Sequence, residues 1–123
     1  MIVVMTDAPL CARNLERLAK RAMLGLGKTG GIASNGSGDY VIAVSTAEEN
    51  FIPYDYDSPT HTTSVLHNGK MSSLFMACIE ATEEAVVNSL FAAEDIIGRD
   101  GHEIKALPVE EVMELMKKYN KIK

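Results

Sequence analysis

The sequence predicts an α/β fold, and residues 1–46 carry most of the argument. Residues 1–5, MIVVM, are apolar and rich in β-branched side chains, which indicates a buried strand. Residues 11–26 repeat apolar side chains at helical spacing, which predicts an amphipathic helix. Residues 40–46 are again apolar and predict a second strand. This succession resembles a βαβ unit, although the sequence leaves open whether the two strands pair.

The remaining elements follow in a simple order. Residues 47–68 lack periodicity and contain two prolines, so we expect a long loop of a kind that is often functional. A long helix is predicted over 70–97, with Gly98 as its stop. Residues 103–107 are a short strand candidate, and Pro108 opens a last amphipathic helix that runs through Tyr119.

The length and charge of the chain limit its functions. At 123 residues it is the size of one domain, so we expect residues 1–123 to form a single unit. The net charge is −5, and the basic residues between Arg13 and Lys28 have the spacing of a solvated helix face. Nucleic acid is therefore not an expected partner, because phosphate binding needs clustered cations that are exposed on a basic surface.

The sequence also predicts a cytoplasmic protein with no membrane association. The apolar start is only five residues long, shorter than the h-region of a signal peptide, and no run approaches a membrane span. The two cysteines, Cys11 and Cys78, lie far apart and form no CxxC pair. This cysteine usage is typical of a reducing compartment and contains no zinc motif.

The most specific local feature is the glycine-rich stretch around Ser37 and Asp39. Glycines on both sides of Ser37 permit a tight turn and the close approach of another group, and Asp39 stands at the mouth of the second strand. A hydroxyl and a carboxylate in one turn can relay a hydrogen bond to a nucleophile supplied from elsewhere. The alternative is an ordinary turn whose polar side chains satisfy loop amides, and spacing alone favours that alternative.

Other chemically active side chains have simpler interpretations. The three histidines occupy loops or turns without the spacing of a metal site. They are His61, His67 and His102. The acidic residues Glu80, Glu83 and Glu84 indicate the solvent-exposed face of a helix. Cys11, near a helix start, could be a reactive thiol, but a buried small side chain is the simpler interpretation.

Two long stretches resemble a known family. TDAPLCARNLERLAKRAMLGLGKTG followed by SNGSGDYVIAVST is similar to the start of the β chain in the L-aminopeptidase/D-Ala-esterase family, and the similarity resumes at EATEEAVVNSLFAAEDIIGRDGH and ALP. This family includes D-aminopeptidases and β-peptidyl aminopeptidases and belongs to the N-terminal-nucleophile hydrolases. The resemblance covers nearly the whole chain and is weakest over 47–70.

The resemblance implies a fold and a reaction. The fold is a layered α-β-β-α sandwich, of which this chain supplies the β-chain portion. In the family a precursor cuts itself before a serine, which becomes the nucleophile, and its own α-amine is the proton acceptor. The serine and carboxylate of the GSGD turn complete the catalytic group, and they correspond to Ser37 and Asp39. No metal or cofactor is implied, and the expected substrate is a small peptide, amide or ester.

The sequence departs from the family pattern at its start. Counting back from Thr6, the nucleophilic serine falls about two residues before Met1, and residues 1–5 offer no nucleophile. The α chain, which holds the oxyanion hole and most of the pocket, has no counterpart in this sequence. We therefore expect the isolated chain to be inactive. A non-catalytic subunit, a truncated relict and a chain related to ornithine acetyltransferase remain the alternatives.

The partner implied by the resemblance is the α chain of the same precursor, with self-association as the alternative. We expect the isolated chain to leave two apolar surfaces exposed, which this partner would cover. One is a sheet seam formed by Val3, Val4, Val41 and Ala43. The other is a stripe of small residues on the long helix, formed by Ala77, Ala81 and Ala85.

Overall fold

The computed structural model describes residues 1–55 and 57–123, and Tyr56 lies outside them. Backbone contacts divide the chain into two compact units, Met1–Glu84 and Ala85–Lys123, which are described separately. The division falls within one helix, α2 (Met71–Phe91). In the part of the chain that is described, no helix combines the length and apolar character that a bilayer crossing requires.

The first unit begins with the βαβ unit that the sequence suggested. Strand β1 (Ile2–Thr6) leads through a turn to helix α1 (Ala12–Lys28), which is followed by strand β2 (Val41–Ser45). The two strands pair in parallel, and the register sets Ile2 opposite Val41 and Thr6 opposite Ser45. The structure thus answers the question that the sequence left open, and the predicted strands and helix are confirmed.

Helices α1 and α2 pack together to form the core of this unit. A cluster of buried apolar side chains comes from both helices and from the turn before α1. They are Leu10, Leu18, Ala22, Met71 and Cys78. The inward side chains of β1 and β2 pack against this cluster. Burial of these side chains is the main stabilising contribution to the unit.

A glycine sets the distance between α1 and α2. A methyl group placed on Gly25 would lie 2.6 Å from the carbonyl oxygen of Ile79 and 2.7 Å from Cβ of Thr82. No real Cβ is accommodated at such distances, so the two backbones approach as closely as they do only because residue 25 has no side chain. One turn along, the Lys28 ammonium pairs with the Glu83 carboxylate across the same two helices.

The predicted long loop follows β2 and is pinned at its base. The side chain of Asn50 accepts the Ser64 N–H at 2.8 Å and donates to the Ser64 carbonyl at 2.9 Å. The Leu66 N–H then bonds the Pro9 carbonyl at 2.8 Å. Short 3₁₀ turns flank the loop at Glu48–Asn50 and Asn68–Lys70. The loop therefore leaves and re-enters the unit at fixed points.

The second unit differs from its prediction. The helix expected over 70–97 ends at Phe91, and Ile96–Ile97 instead form strand β3. Strand β3 pairs antiparallel with β4 (Glu103–Ile104), which is shorter than the predicted 103–107. Gly98 is not a helix stop: its N–H donates to the His102 carbonyl at 2.7 Å within the hairpin.

The physical reason lies in Asp95 and in the hairpin turn. The Asp95 carboxylate accepts the Ala106 N–H at 2.8 Å and the Lys105 ammonium at 2.9 Å, which ties the chain back on itself. Asp100 and Gly101 adopt positive φ angles of 59° and 76° in the turn. These interactions join residues about ten apart, so a local periodicity does not reveal them. The last helix, α3 (Val109–Lys118), is confirmed.

Candidate active site

The candidate site is the turn that leads into β2. The Ser37 N–H donates to the Ser34 carbonyl at 2.8 Å, which closes the turn over 34–37. The Ser37 hydroxyl then donates to Oδ2 of Asp39. Both side chains are exposed, as is the whole run from residue 30 to residue 40. The structure thus brings together the two residues that the sequence singled out and leaves them open to solvent.

The turn lies beside the first residues of β1. The Ile2 N–H donates to the Tyr40 carbonyl at 2.9 Å, one residue after Asp39. Because β1 and β2 are parallel, both strands start at the same end of the sheet. The Ser37–Asp39 turn therefore enters the sheet at the end where β1 begins.

Tyr40 is part of this surface, and the sequence analysis treated it only as a strand residue. A methyl group on Gly38 would lie 3.6 Å from Cε2 of the Tyr40 ring, so the ring packs over the turn while remaining 70% exposed. The signal that could have found it is the alternation of Tyr40, Ile42 and Val44, because the strand predicted over 40–46 would place these three side chains on one face.

The turn alone can orient a partner but cannot activate one. An ionised carboxylate accepts hydrogen bonds only, and the Ser37 hydroxyl that donates to it still has lone pairs for another donor. Hydroxyl nucleophiles in enzymes are usually activated by an imidazole or an amine, whereas the partner of the Ser37 hydroxyl is a carboxylate. A group brought to the start of β1 would find the hydroxyl and carboxylate already paired. The arrangement can therefore position a group that lies at the start of β1 through the free lone pairs of the Ser37 hydroxyl.

The other candidate side chains are placed elsewhere, mostly with partners of their own. Nδ1 of His67 accepts the Gly69 N–H at 3.1 Å, and Glu83 pairs with Lys28. Over residues 1–55 and 57–123, no three His, Cys, Asp or Glu side chains are grouped so that they could hold a metal ion.

The two cysteines have different surroundings. Cys78 is buried, its Sγ lies 3.4 Å from the Leu18 carbonyl, and burial raises the pKa of its thiol. A raised thiol pKa opposes nucleophilic use, so Cys78 is a core residue. Cys11 stands at the position before α1 without a side-chain capping bond. It is half-buried, so the prediction of a buried side chain was wrong in degree.

The expected sheet seam is divided between two faces. Val4, Val41 and Ala43 point toward α1, whereas Val3 lies on the opposite face. The four residues therefore do not form one surface, because alternation along a strand places neighbours on opposite faces. Their contact with a partner stays a prediction. The open face is apolar and is formed by Val3, Met5, Ile42 and Val44, which are 36–67% exposed. We call these four residues the open sheet face.

The small-residue stripe lies partly in a depression. Ala77 and Ala81 line a shallow apolar pocket between α2 and β1, and they share it with Val4, Leu18 and Leu74. Both alanines and Ala85 are exposed. Part of the predicted stripe thus borders an open apolar depression, and its contact with a partner stays a prediction.

Comparison with known proteins decides the family. The profile of Peptidase family S58 matches residues 1–104. The chain belongs to this family. It is 39% identical over 122 residues to the β-peptidyl aminopeptidase BapA of Sphingosinicella microcystinivorans, covering 99% of this chain and 30% of that protein. The chain thus spans about a third of the length of its relatives.

Two solved structures share the fold of this chain. A protein from Pyrococcus horikoshii is 45% identical and superposes with a TM-score of 0.83, over 96% of this chain and 33% of that one. The L-aminopeptidase D-Ala-esterase/amidase of Ochrobactrum anthropi, a variant of the Ntn hydrolase fold, is 33% identical with a TM-score of 0.85, over 99% and 34%. The predicted resemblance and the α/β fold class are therefore confirmed: the chain forms part of an Ntn-hydrolase fold.

Proposed function

We propose that this chain is the C-terminal, β-chain portion of a self-processing aminopeptidase that releases N-terminal amino acids from small peptides, amides or esters. The observation that carries the proposal is the paired Ser37 hydroxyl and Asp39 carboxylate at the end of the sheet where β1 begins. Family membership supports an aminopeptidase, and the names of two relatives include a β-peptidyl aminopeptidase and an L-aminopeptidase.

The strand register supports a nucleophile upstream of Met1. Ile2 is opposite Val41, so each residue of β1 faces the one 39 positions later. Continuing this register upstream, a serine two residues before Met1 would stand opposite Gly38, between Ser37 and Asp39. The family pattern expects its nucleophile at this distance from the TDAPL turn. A serine at the distance that the family pattern expects would therefore lie beside the Ser37–Asp39 turn if the register continues.

The proposed chemistry proceeds through an acyl-enzyme. The upstream serine Oγ adds to the substrate carbonyl carbon, and its proton passes to the serine's own α-amine. The C–N or C–O bond then breaks, and the leaving group takes that proton. Water hydrolyses the resulting serine ester by the same route. Ser37 holds the amine and hydroxyl in line, and the negative charge of Asp39 stabilises the ammonium that forms.

A partner would complete this enzyme. We propose that the α chain of the same precursor covers the open sheet face and the Ala77–Ala81 pocket, with self-association as the alternative occupant. The exposure of these apolar surfaces supports the proposal, because folded proteins rarely leave such areas open. We place the complete enzyme in the cytoplasm and expect it to need no metal or cofactor.

A non-catalytic subunit is the competing proposal. The observation that favours it is that the Ser37 hydroxyl and the Asp39 carboxylate satisfy each other within the turn. On this view, the Ser37–Asp39 pair is a structural turn. A truncated relict and a chain related to ornithine acetyltransferase are the further alternatives.

Three preparations assayed on a panel of amino-acid p-nitroanilides separate the proposals. We expect no turnover by the chain as written. We expect turnover when the chain is extended upstream through the serine and expressed with the preceding polypeptide. The same preparation with that serine changed to alanine should be inactive and uncut. Turnover by the unextended chain that survives repurification, or an inactive and uncut full-length precursor, would contradict the proposal.

A further inference from the structure

A row of three arginines lies along α1. Arg13, Arg17 and Arg21 follow one another at intervals of four residues, so they share one face of the helix. Each step advances about 6 Å along the helix axis. We call this row the arginine ladder. It lies away from the Ser37–Asp39 turn in sequence and has no part in the proposed reaction.

Two members of the ladder are held by a phenylalanine of α2. The guanidinium carbon of Arg21 lies 4.1 Å from the centroid of the Phe75 ring, and that of Arg17 lies 5.0 Å from it. Nη1 of Arg17 also donates to Oδ1 of Asn14 at 3.0 Å and to Oδ1 of Asn68 at 2.7 Å. These contacts fix two guanidinium groups beside one ring and reduce the entropy lost when they bind a further group.

The charge of the ladder is not balanced within the described chain. The one carboxylate of α1, Glu16, pairs with Lys20 at 2.6 Å. Among residues 1–55 and 57–123, no ion pair includes an arginine of the ladder. Like charges four residues apart on a helix repel each other and destabilise it. The chain has a net charge of −5 and many carboxylates, yet none of those in the described residues pairs with the ladder.

The polar contacts leave donors available for a bidentate anion. In the part of the chain that the structure describes, Arg17 donates to the two asparagines through Nη1 alone. Arg21 there uses Nη1 alone, which donates to the Arg17 carbonyl at 3.3 Å. The Nε–H and Nη2–H groups of each side chain lie along one edge of the guanidinium. This edge can donate two parallel hydrogen bonds to a carboxylate. The ladder therefore presents two guanidinium groups, those of Arg17 and Arg21, whose free edges can each bind a carboxylate.

We infer that the arginine ladder binds an acidic segment of a protein partner, with carboxylates spaced to match it. A helix that carries Glu or Asp at every fourth position repeats at the same 6 Å interval, about one carboxylate for each arginine. The positive charge of the ladder favours an acidic partner. Because Phe75 holds the guanidinium groups of Arg17 and Arg21 in fixed orientations, the ladder favours carboxylates that form paired hydrogen bonds over anions that are attracted by charge alone.

The test uses the full chain and two synthetic helical peptides of about fifteen residues, one with Glu at every fourth position and one with Gln. NMR titration follows the arginine Nε–H resonances. We expect saturable shifts at Arg17 and Arg21 with the Glu peptide, and binding weaker by about tenfold or more with the Gln peptide. Raising the salt to about 0.5 M should weaken the Glu peptide several-fold.

Two variants identify the ladder as the site. Arg17→Gln/Arg21→Gln should weaken binding of the Glu peptide by about tenfold, whereas Arg99→Gln/Lys117→Gln, with the same loss of charge elsewhere, should leave it within about twofold. Arg17→Lys/Arg21→Lys keeps the charge without the fork, and it serves if the glutamine variant does not fold. Its binding should be intermediate.

Three results would overturn the inference. They are equal binding of the two peptides, unchanged binding by the Gln and Lys variants, and complete competition by inorganic phosphate at the peptide's own concentration. The last result would assign the ladder to a small anion instead. None of these outcomes depends on catalysis, so the inference can fail while the proposed function stands, and the reverse.

Discussion

The N–H of Ile2 and the carbonyl of Tyr40 are joined by a 2.9 Å hydrogen bond that fixes the start of β1 beside the Ser37–Asp39 turn. This bond continues the parallel ladder one position upstream of the Ile2–Val41 pair. The pairing of β1 with β2 therefore determines where the Ser37–Asp39 turn lies relative to the start of β1. Any residue that precedes β1 in the same register would approach Gly38 and its neighbours.

Gly25→Ala should destabilise the chain by about 1–3 kcal/mol, because the new methyl group would overlap the Ile79 carbonyl and the Thr82 side chain. Gly27→Ala is the matched control. It lies in the same helix with no atom within 4 Å of the added Cβ, so it should stabilise by about 0.5–1 kcal/mol. Urea unfolding of both variants measures the difference. Equal effects of the two substitutions would show that α1 and α2 do not approach closely at residue 25.

The open sheet face should drive self-association of the isolated chain. Val3→Lys/Ile42→Lys places two charges on this face, at residues that are 55% and 51% exposed, and should shift the chain toward monomer across the micromolar range. Sedimentation velocity measures the distribution.

Val65→Lys is the control for that experiment, since Val65 is 49% exposed but lies in the long loop. It should leave the association unchanged. A wild-type chain that is strictly monomeric and binds no hydrophobic dye would count against an uncovered apolar surface.

The Asp95 carboxylate should titrate below its ordinary value. The hydrogen bond from the Ala106 N–H has the larger effect in lowering the pKa of this carboxyl, and the bond from the Lys105 ammonium has the smaller. A carboxyl with a lowered folded pKa stabilises the fold above its unfolded pKa of about 3.9, and that contribution is lost as the pH falls through the folded value. The hairpin of β3 and β4 should therefore loosen in acid.

The measurement is an NMR titration of the Asp95 carboxyl carbon, together with amide exchange at Ala106. Lys105→Gln should move the midpoint upward, yet still below its ordinary value, because the backbone bond remains. Lys121→Gln, which removes a lysine outside this cluster, should not move it. A midpoint that is the same with and without Lys105 would rule out the ion pair in solution.

The sequence predicted the first unit better than the second for a physical reason. The apolar repeats of β1, α1 and β2 are local patterns whose partners are set by the burial of one face. Parallel pairing depends on the helix crossover, so the pattern suggested it but did not determine it. The end of α2 depends instead on Asp95 and on the turn at Asp100, which act across about ten residues and leave no periodic signal.

The candidate site was predicted only in part. Ser37 and Asp39 stand out as a polar pair between glycines, and the family resemblance assigned their role. Their position beside β1, and the Tyr40 ring over Gly38, follow from strand register and side-chain packing that the sequence does not display. The pairing of Arg17 and Arg21 on Phe75 joins two helices and was likewise not foreseen.

The most direct test of the account is the acylation rate of Ser37→Ala in the full-length enzyme, measured by single turnover beside its melting temperature. Ser37 is exposed, so the change should leave stability within about 1 kcal/mol. Acylation should fall by about 10²–10⁴-fold, the scale of a positioned acid–base partner. Asp39→Asn should behave in the same way and should also slow self-cleavage. Normal acylation by Ser37→Ala, with a lowered melting temperature, would make the turn structural and contradict the account.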